Sequence, residues 1–264
     1  MKPTIAGTVL AAILLPGTGC AVEDGSVAEP SGETQQAVSS LGFWDWGCSS
    51  TCGLPLGTAT DKQQTCFLAG VWGNLQPAAS YSEVFVEQTG GHWELQIVTN
   101  GRPLGGTAVC VPGAPSKVAQ WHSGAAEVSL GSAPNRRCFL SGVRNTSGFT
   151  AATDFVQVHQ LRTGAWFLGG NMTSEKDALA TAVCVDGPSD GLDYGLVSGD
   201  GGGFYNVPIQ ANNPGGWACG LKKLGGHFTS SDYGDGVWID YNNGISEWEL
   251  NVVNGKQATT DCLN

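Results

Sequence analysis

The sequence is poor in charged residues and in methionine, and it has no hydrophobic stripe of helical period. Charged residues make up 13% of the 264 residues, and two residues are methionine. The 12 lysines and arginines are outnumbered by 23 acidic residues, which gives a formal net charge of −11. Because no basic stripe is present to neutralise phosphates, the composition excludes a nucleic-acid partner and electrostatic binding to anionic lipids.

Glycine, tryptophan and cysteine are abundant instead. The chain has 40 glycines, nine tryptophans and nine cysteines, and 41% of its residues are hydrophobic. Short segments of alternating polar and apolar residues are separated by turns such as Thr89-Gly90-Gly91. This pattern predicts an all-β protein with enough apolar residues for a packed core.

One stretch of the sequence occurs three times. Each copy begins with a cysteine, has a tryptophan 27 to 29 residues later, and ends with a cysteine 43 to 46 residues after the first. The first two copies share the opening Cys-Phe-Leu-x-Gly-Val and the closing Thr-Ala-Val-Cys-Val. The marker residues are Cys66, Trp93 and Cys110; Cys138, Trp166 and Cys184; and Cys219, Trp248 and Cys262. Such a period indicates a threefold internal repeat.

Each repeat is too small to bury its own hydrophobic face, so we expect the copies to pack on one another. We predict an all-β fold in which three repeats, each of about four to five short antiparallel strands, surround a pseudo-threefold axis as in a prism or a trefoil. Separate units arranged like beads on a string are the alternative. The repeats would cover residues 43–115, 116–190 and 191–264.

The cysteines of the repeat predict a set of disulfides. The simplest pairing joins the two cysteines within each copy, and it leaves Cys48 to pair with Cys52. A disulfide requires Cα atoms within about 7 Å, so the last strand of each repeat must return beside the first or face it across a sandwich. Zinc binding is disfavoured, because no copy contains a Cys-x-x-Cys pair.

The N-terminus is typical of an exported protein. A positively charged start and an apolar run at residues 5–15 predict a signal peptide at residues 1–19. The segment resembles the N-terminus of bacterial lipoproteins, which implies lipidation of Cys20 and a tether over residues 20–42. The same resemblance implies an outer-membrane location in a Gram-negative host, with the lipid as the only membrane contact. Secretion without lipid is the alternative.

The repeated tryptophans could provide one sugar-binding platform per repeat or could belong to the core. In the third strand of the first and last repeats, the tryptophan is in register with aliphatic residues. Alternate residues of a strand share a face, so we expect Trp93, Trp166 and Trp248 to be buried. The aromatic run at residues 43–46 is interpreted as a plug at one end of the core, with a binding knuckle as the alternative.

Aromatic residues that break the repeat are better candidates for a ligand site, since the repeat does not explain them. They are Trp72, Trp121, Trp217, Trp238 and Tyr241. Exposed rings beside Asp and Asn suit stacking on, and hydrogen bonding to, a sugar or a peptide. For each ring, packing in the core is the alternative.

Acidic residues provide two further hypotheses. Two Asp- and Gly-rich stretches could bind calcium or could be solvated turns, and no other cofactor is indicated. Their acidic residues are Asp186, Asp190, Asp193, Asp232 and Asp235. Glu94 with Glu249 or Asp240 could form the carboxylate pair of a glycoside hydrolase, although no sequence feature brings them together.

Residues 60–264 resemble uncharacterised Cys-Phe-Leu-x-Gly-Val repeats of secreted bacterial proteins, which implies no established activity. From the residues themselves we expect a non-enzymatic extracellular protein that binds a carbohydrate or another cell-surface ligand, including a protein, through its unrepeated aromatics. A structural or adhesion component of the envelope without a small-molecule site is one alternative, and a polysaccharide hydrolase is another.

Overall fold

A computed structural model describes the folded part of the chain. It covers residues 42–57, 64–76, 81–99, 101–145, 149–172, 177–186, 194–197, 204–211, 218–229, 235–242 and 247–263. Cys20 and the segments predicted as signal peptide and tether lie outside these ranges, apart from residue 42. The described residues form strands, turns and bends without a helix, which confirms the all-β prediction. None of them therefore belongs to a helix able to cross a membrane.

The described residues form 18 strands. They are β1 (Gly42–Cys48), β2 (Cys52–Leu56), β3 (Gln64–Gly73), β4 (Ser82–Thr89), β5 (His92–Val98), β6 (Leu104–Pro112), β7 (Lys117–His122), β8 (Val128–Gly131), β9 (Arg136–Asn145), β10 (Phe155–Gln160), β11 (Trp166–Asn171), β12 (Leu179–Asp186), β13 (Tyr194–Val197), β14 (Phe204–Ala211), β15 (Ala218–Gly226), β16 (Gly236–Asn242), β17 (Glu247–Val253) and β18 (Lys256–Leu263).

The strands form three antiparallel sheets of six strands each. The first has the order β1-β6-β3-β16-β17-β14, the second β13-β18-β15-β10-β11-β8, and the third β7-β12-β9-β4-β5-β2. Each sheet thus combines two triplets from different parts of the chain, which meet at the pairs β3–β16, β15–β10 and β9–β4. At the outer edges, β1 contacts β2, β7 contacts β8 and β13 contacts β14, so edge strands of different sheets lie side by side.

Local sequence explains the individual strands. In β5, Trp93, Leu95 and Ile97 are buried while the residues between them are half-buried, as alternation along a strand requires. The turn from β4 to β5 uses Gly90 and Gly91, whose φ angles are 61° and 93°. Two consecutive positive φ values suit the tight turn that matches the twist of a hairpin, and glycine adopts them without steric cost.

The inner strands of the three sheets meet in the core. Strands β3, β9 and β15 contact one another. At this meeting point the rings of Phe67 and Phe139 stack with centroids 4.2 Å apart. Gly220 of β15 lies against both rings, and a Cβ there would come within 2.7 Å of Phe139 Cδ1. The centre therefore holds two phenyl rings and has no space for a third side chain.

Disulfides join the two cysteines of each copy. Cys66–Cys110, Cys138–Cys184 and Cys219–Cys262 each connect directly opposed residues of paired strands, with Cα atoms 4.0 Å apart. The last long strand of each copy thus lies beside the first in the same sheet. The sequence had left open this arrangement and one in which the two strands face each other across a sandwich. Cys48–Cys52 bridges β1 and β2. Four disulfides are consistent with an exported protein, because such bonds persist in oxidising compartments.

Two other expectations about aromatic residues have different outcomes. Trp93, Trp166 and Trp248 are 4%, 1% and 8% exposed, which confirms that they belong to the core and not to sugar platforms. The aromatic run at residues 43–46 is part of the edge strand β1, which pairs with β6, and its interpretation as a plug stays a prediction.

Candidate functional site

The first sheet has one face toward the core and one face away from it. On β16, Val237 and Ile239 are fully buried, whereas Trp238 and Asp240 alternate with them and are half-buried. Because neighbouring residues of a strand point to opposite sides, Trp238 and Asp240 share the face away from the core.

Strand β17 adds polar groups to this face. Glu249 lies directly opposite Asp240, and Asn251 lies directly opposite Trp238. Residues opposed in an antiparallel pair have Cβ atoms about 4.5–5.5 Å apart, so these four side chains form one group. Glu249 and Asn251 are 7% and 1% exposed, although they are on the outer side of the sheet.

Strand β3 brings a second tryptophan to the group. Trp72 pairs with Gly236, and Gly70 pairs with Trp238, so the two tryptophans are diagonal neighbours across the β3–β16 junction. A Cβ at Gly70 would be 2.7 Å from Trp238 Cβ, and one at Gly105 would be 2.7 Å from Trp72 Cζ2. The glycines thus allow both indoles to lie against the sheet.

We call these five residues, Trp72, Trp238, Asp240, Glu249 and Asn251, the acidic tryptophan face. Hydrogen bonds order its polar members. Asn251 Nδ2 donates to Asp240 Oδ1 over 2.8 Å, and the Trp238 side chain also donates to this carboxylate. Asn242 Nδ2 donates to Glu249 Oε1 over 3.1 Å. These bonds fix the orientation of both carboxylates.

The charge on this face is uncompensated within the described chain. No lysine, arginine or histidine there forms an ion pair with Asp240 or Glu249. Burial raises the pKa of Asp240, and the neighbouring Glu249 raises it further, against the lowering effect of the bonds from Asn251 and Trp238. The face therefore combines flat apolar rings with oriented acceptors and favours groups that donate hydrogen bonds.

The other predicted ligand-binding aromatics do not join this face. Trp121 is 2% exposed and donates its indole N–H to the Ala125 carbonyl over 3.1 Å, so the expectation of an exposed ring is wrong. Tyr241 is on the opposite side of β16 from Trp238, where its ring meets Trp248 edge-on at 5.6 Å. Trp217 lies outside the described residues.

The predicted calcium ligands that the structure describes are engaged by cations of the protein. Asp186 accepts hydrogen bonds from Arg136 and Ser116, and the Arg136 bond lowers its pKa below the ordinary value. Asp235 is 6% exposed and contacts the Lys256 ammonium. Asp190, Asp193 and Asp232 lie outside the described ranges. Within those ranges, no three His, Cys, Asp or Glu side chains cluster as metal ligands would.

The two carboxylate pairs predicted from the sequence, Glu94 with Glu249 or with Asp240, are not found on one sheet. Glu94 is on β5 in the third sheet, opposite Glu87, so it belongs to a different sheet from Asp240 and Glu249. Asp240 and Glu249 face each other, a pairing that strand alternation around the turn between β16 and β17 could have indicated. The contribution of Trp72 could not have been found in this way, because the β3–β16 pairing joins distant parts of the chain.

Comparisons with known proteins do not assign this site. The chain matches no protein-family model, no curated protein and no solved structure.

Proposed function

We propose that this protein is a non-enzymatic carbohydrate-binding protein whose ligand lies on the acidic tryptophan face. The observation that carries the proposal is that Trp72 and Trp238, two aromatics unexplained by the repeat, lie side by side next to two oriented carboxylates. Indole rings stack on the apolar faces of sugars, and carboxylate and amide oxygens accept hydrogen bonds from hydroxyl groups.

The charge of the site favours a class of sugar. Asp240 and Glu249 repel anionic groups, and the chain has a net charge of −11. Neutral sugars and amino sugars are therefore the expected ligands, whereas uronic acids and sulfated or phosphorylated sugars are disfavoured.

A glycan array that contains neutral, amino and acidic sugars tests the proposal, followed by titration of each hit. Trp72→Ala and Trp238→Ala should each raise Kd about tenfold, because each removes one stacking ring. Tyr205→Ala is the matched control, since Tyr205 is an exposed aromatic of the same sheet, 45% exposed, that pairs with Val252 on the other face. A blank array, or hits unaffected by both tryptophan variants, would contradict the proposal.

The fold that carries this site is, in our proposal, a pseudo-threefold arrangement of the three sequence repeats, in the manner of a prism. Two observations support it. Each repeat provides six strands. If the strands of each repeat are numbered from its first strand, all three sheets have the same order of strand numbers. In addition, Phe67, Phe139 and Gly220 all follow the first cysteine of their repeat, and they meet at one point.

We further propose that the protein is anchored to the outer membrane through a lipid on Cys20. The resemblance of the N-terminus to bacterial lipoproteins supports the anchor, and the four disulfides support export. Metabolic labelling with a radioactive fatty acid should label the wild type and not Cys20→Ser. Equal labelling of both would exclude this cysteine as the lipid carrier.

A hydrolase acting on polysaccharides is the second candidate, and the opposition of Asp240 and Glu249 favours it. A carboxyl group with a raised pKa, as in Asp240, suits the general acid of glycoside hydrolysis. Release of reducing ends from a bound polysaccharide, abolished in Asp240→Asn and Glu249→Gln, would establish hydrolysis. Binding without release would leave the binding protein as the function.

A further inference from the structure

A buried lysine and a buried aspartate meet beside the acidic tryptophan face. Asp235 immediately precedes β16, where its carbonyl accepts a hydrogen bond from Gly73 N over 2.9 Å. Lys256 is the first residue of β18 and pairs with Gly226 of β15. The Nζ atom of Lys256 contacts Oδ1 of Asp235. Backbone pairing on both sides thus holds the two side chains against each other.

The contact is buried beside aromatic rings, and Lys256 Nζ also donates a hydrogen bond to the Asn254 carbonyl over 3.4 Å. Lys256 is 0% exposed and Asp235 is 6% exposed. Lys256 Nζ lies 5.1 Å from the centre of the Phe228 ring, which in turn meets Phe149 edge-on at 5.6 Å. Removing two charges from water is costly, and transfer of one proton from the ammonium to the carboxylate removes both charges.

Neutralisation produces the two groups that form an amide. Burial lowers the pKa of Lys256, against the raising effect of Asp235, so the amine is more easily deprotonated than in water. An uncharged amine is a nucleophile, and a protonated carboxyl group is a better electrophile than a carboxylate. The burial of both side chains also disfavours the return of water to the product.

We propose that Lys256 and Asp235 form an intramolecular isopeptide bond. The amine nitrogen of Lys256 attacks Cγ of Asp235, so an N–C bond forms and a C–O bond breaks. One proton moves from the ammonium to the carboxylate before the attack, and a second leaves the nitrogen during it; both end on the departing oxygen, which is released as one water molecule. The reaction changes no oxidation state and needs no additional reactant.

Three other charged contacts in the described chain lack this chemistry. Arg136–Asp186, Arg137–Asp261 and Arg144–Glu83 pair carboxylates with guanidinium groups, which stay protonated and do not attack a carboxyl carbon. The bond at Lys256 would close the segment of residues 235–256, which contains both β16 and β17. It would therefore fix the two strands that provide four of the five residues of the acidic tryptophan face.

Tryptic mapping of the purified, reduced and alkylated wild-type protein tests the bond. Residues 224–264 contain one site for trypsin, after Lys256, and an amide on Nζ blocks that cleavage. We expect an uncut peptide of residues 224–264 that is lighter than its sequence by one water, with fragmentation spectra that locate the link between Asp235 and Lys256. A released peptide of residues 257–264, with residues 224–256 at full mass, would overturn the proposal.

A second product of the same mass must be distinguished, because the Asp235-Gly236 sequence can lose water to form a succinimide. That product leaves Lys256 free, so release of residues 257–264 together with the loss of water would also overturn the proposal. Lys256→Arg should restore both the full mass and the cleavage. Lys222→Arg is the matched control, since Lys222 is also buried, and it should keep the link.

Discussion

The contact of Gly220 with Phe67 and Phe139 makes a sharp prediction about core packing. In Gly220→Ala the new methyl group would lie 2.5 Å from Phe67 Cε2 and 2.7 Å from Phe139 Cδ1. Real Cβ atoms essentially never approach other atoms below 3.0 Å, so both rings or the backbone must move. Overpacking of this kind costs about 1–3 kcal/mol, and because the new methyl group lies between two buried rings we expect a loss of about 2 kcal/mol.

The free energy of unfolding, measured in guanidinium chloride with disulfides intact, tests this value. Gly53→Ala is a suitable control, because Gly53 is also a strand glycine and its new methyl group would meet only the Glu94 side chain, which can move away. We expect the control to change stability by less than about 0.5 kcal/mol.

A double-mutant cycle tests the cause of the loss. Phe67→Leu removes the ring of Phe67, the closer of the two rings to the methyl group, so Gly220→Ala should cost at least about 1 kcal/mol less on that background. Additive effects, or a loss below about 0.5 kcal/mol for Gly220→Ala alone, would refute the idea that Gly220 is required by the two rings.

Three further predictions concern charge and covalent structure. Asp240→Asn should stabilise the protein by about 0.5–1 kcal/mol at pH 7, because the raised pKa of Asp240 means that the folded state disfavours its negative charge. This gain in stability should vanish as pH falls below the ordinary pKa of Asp, where the carboxyl group is neutral in both states. Asp186→Asn should have the opposite effect, because Arg136 lowers the pKa of Asp186. We expect the free energy of unfolding to fall by about 0.5 kcal/mol at pH 7, and this loss to disappear in acid. Thermal or denaturant unfolding at several pH values measures both, and equal effects at all pH values would contradict them. Replacing Cys138 and Cys184 by serine should cost about 3–4 kcal/mol, and a loss below about 1 kcal/mol would show that this bond adds little to the surrounding sheet.

Local patterns in the sequence were sufficient to predict the strongly alternating strands and the burial of the repeated tryptophans. Alternation in β5 and β17 indicates which side of each strand is apolar, and this information lies within a few residues. The spacing of the cysteines also indicated that the first and last long strands of a copy lie close together, either side by side or facing each other across a sandwich. Segments with weak alternation, such as β2, were not predicted as strands.

Pairing between distant strands could not be predicted from the same patterns. Trp72 and Trp238 share a face only because β3 pairs with β16, and a single sequence contains no local signal for that junction. Trp121 was misjudged for a related reason, since its position outside the repeat pattern says nothing about burial. Its own strand, β7, is at the edge of a sheet, but the ring turns toward the core.

The junction between β3 and β16 also constrains the order in which this chain can fold. It pairs residues near the start of the folded part with residues 236–238, so it forms only after most of the chain has been synthesised. Until then the edge of β3 presents unpaired backbone groups, which invite pairing with other chains. The disulfide between Cys66 and Cys110 depends only on nearby sequence and can form earlier, which holds β3 against β6 while its other edge is still open. Early oxidation of this cysteine pair thus protects one side of β3 until its second partner, β16, is available.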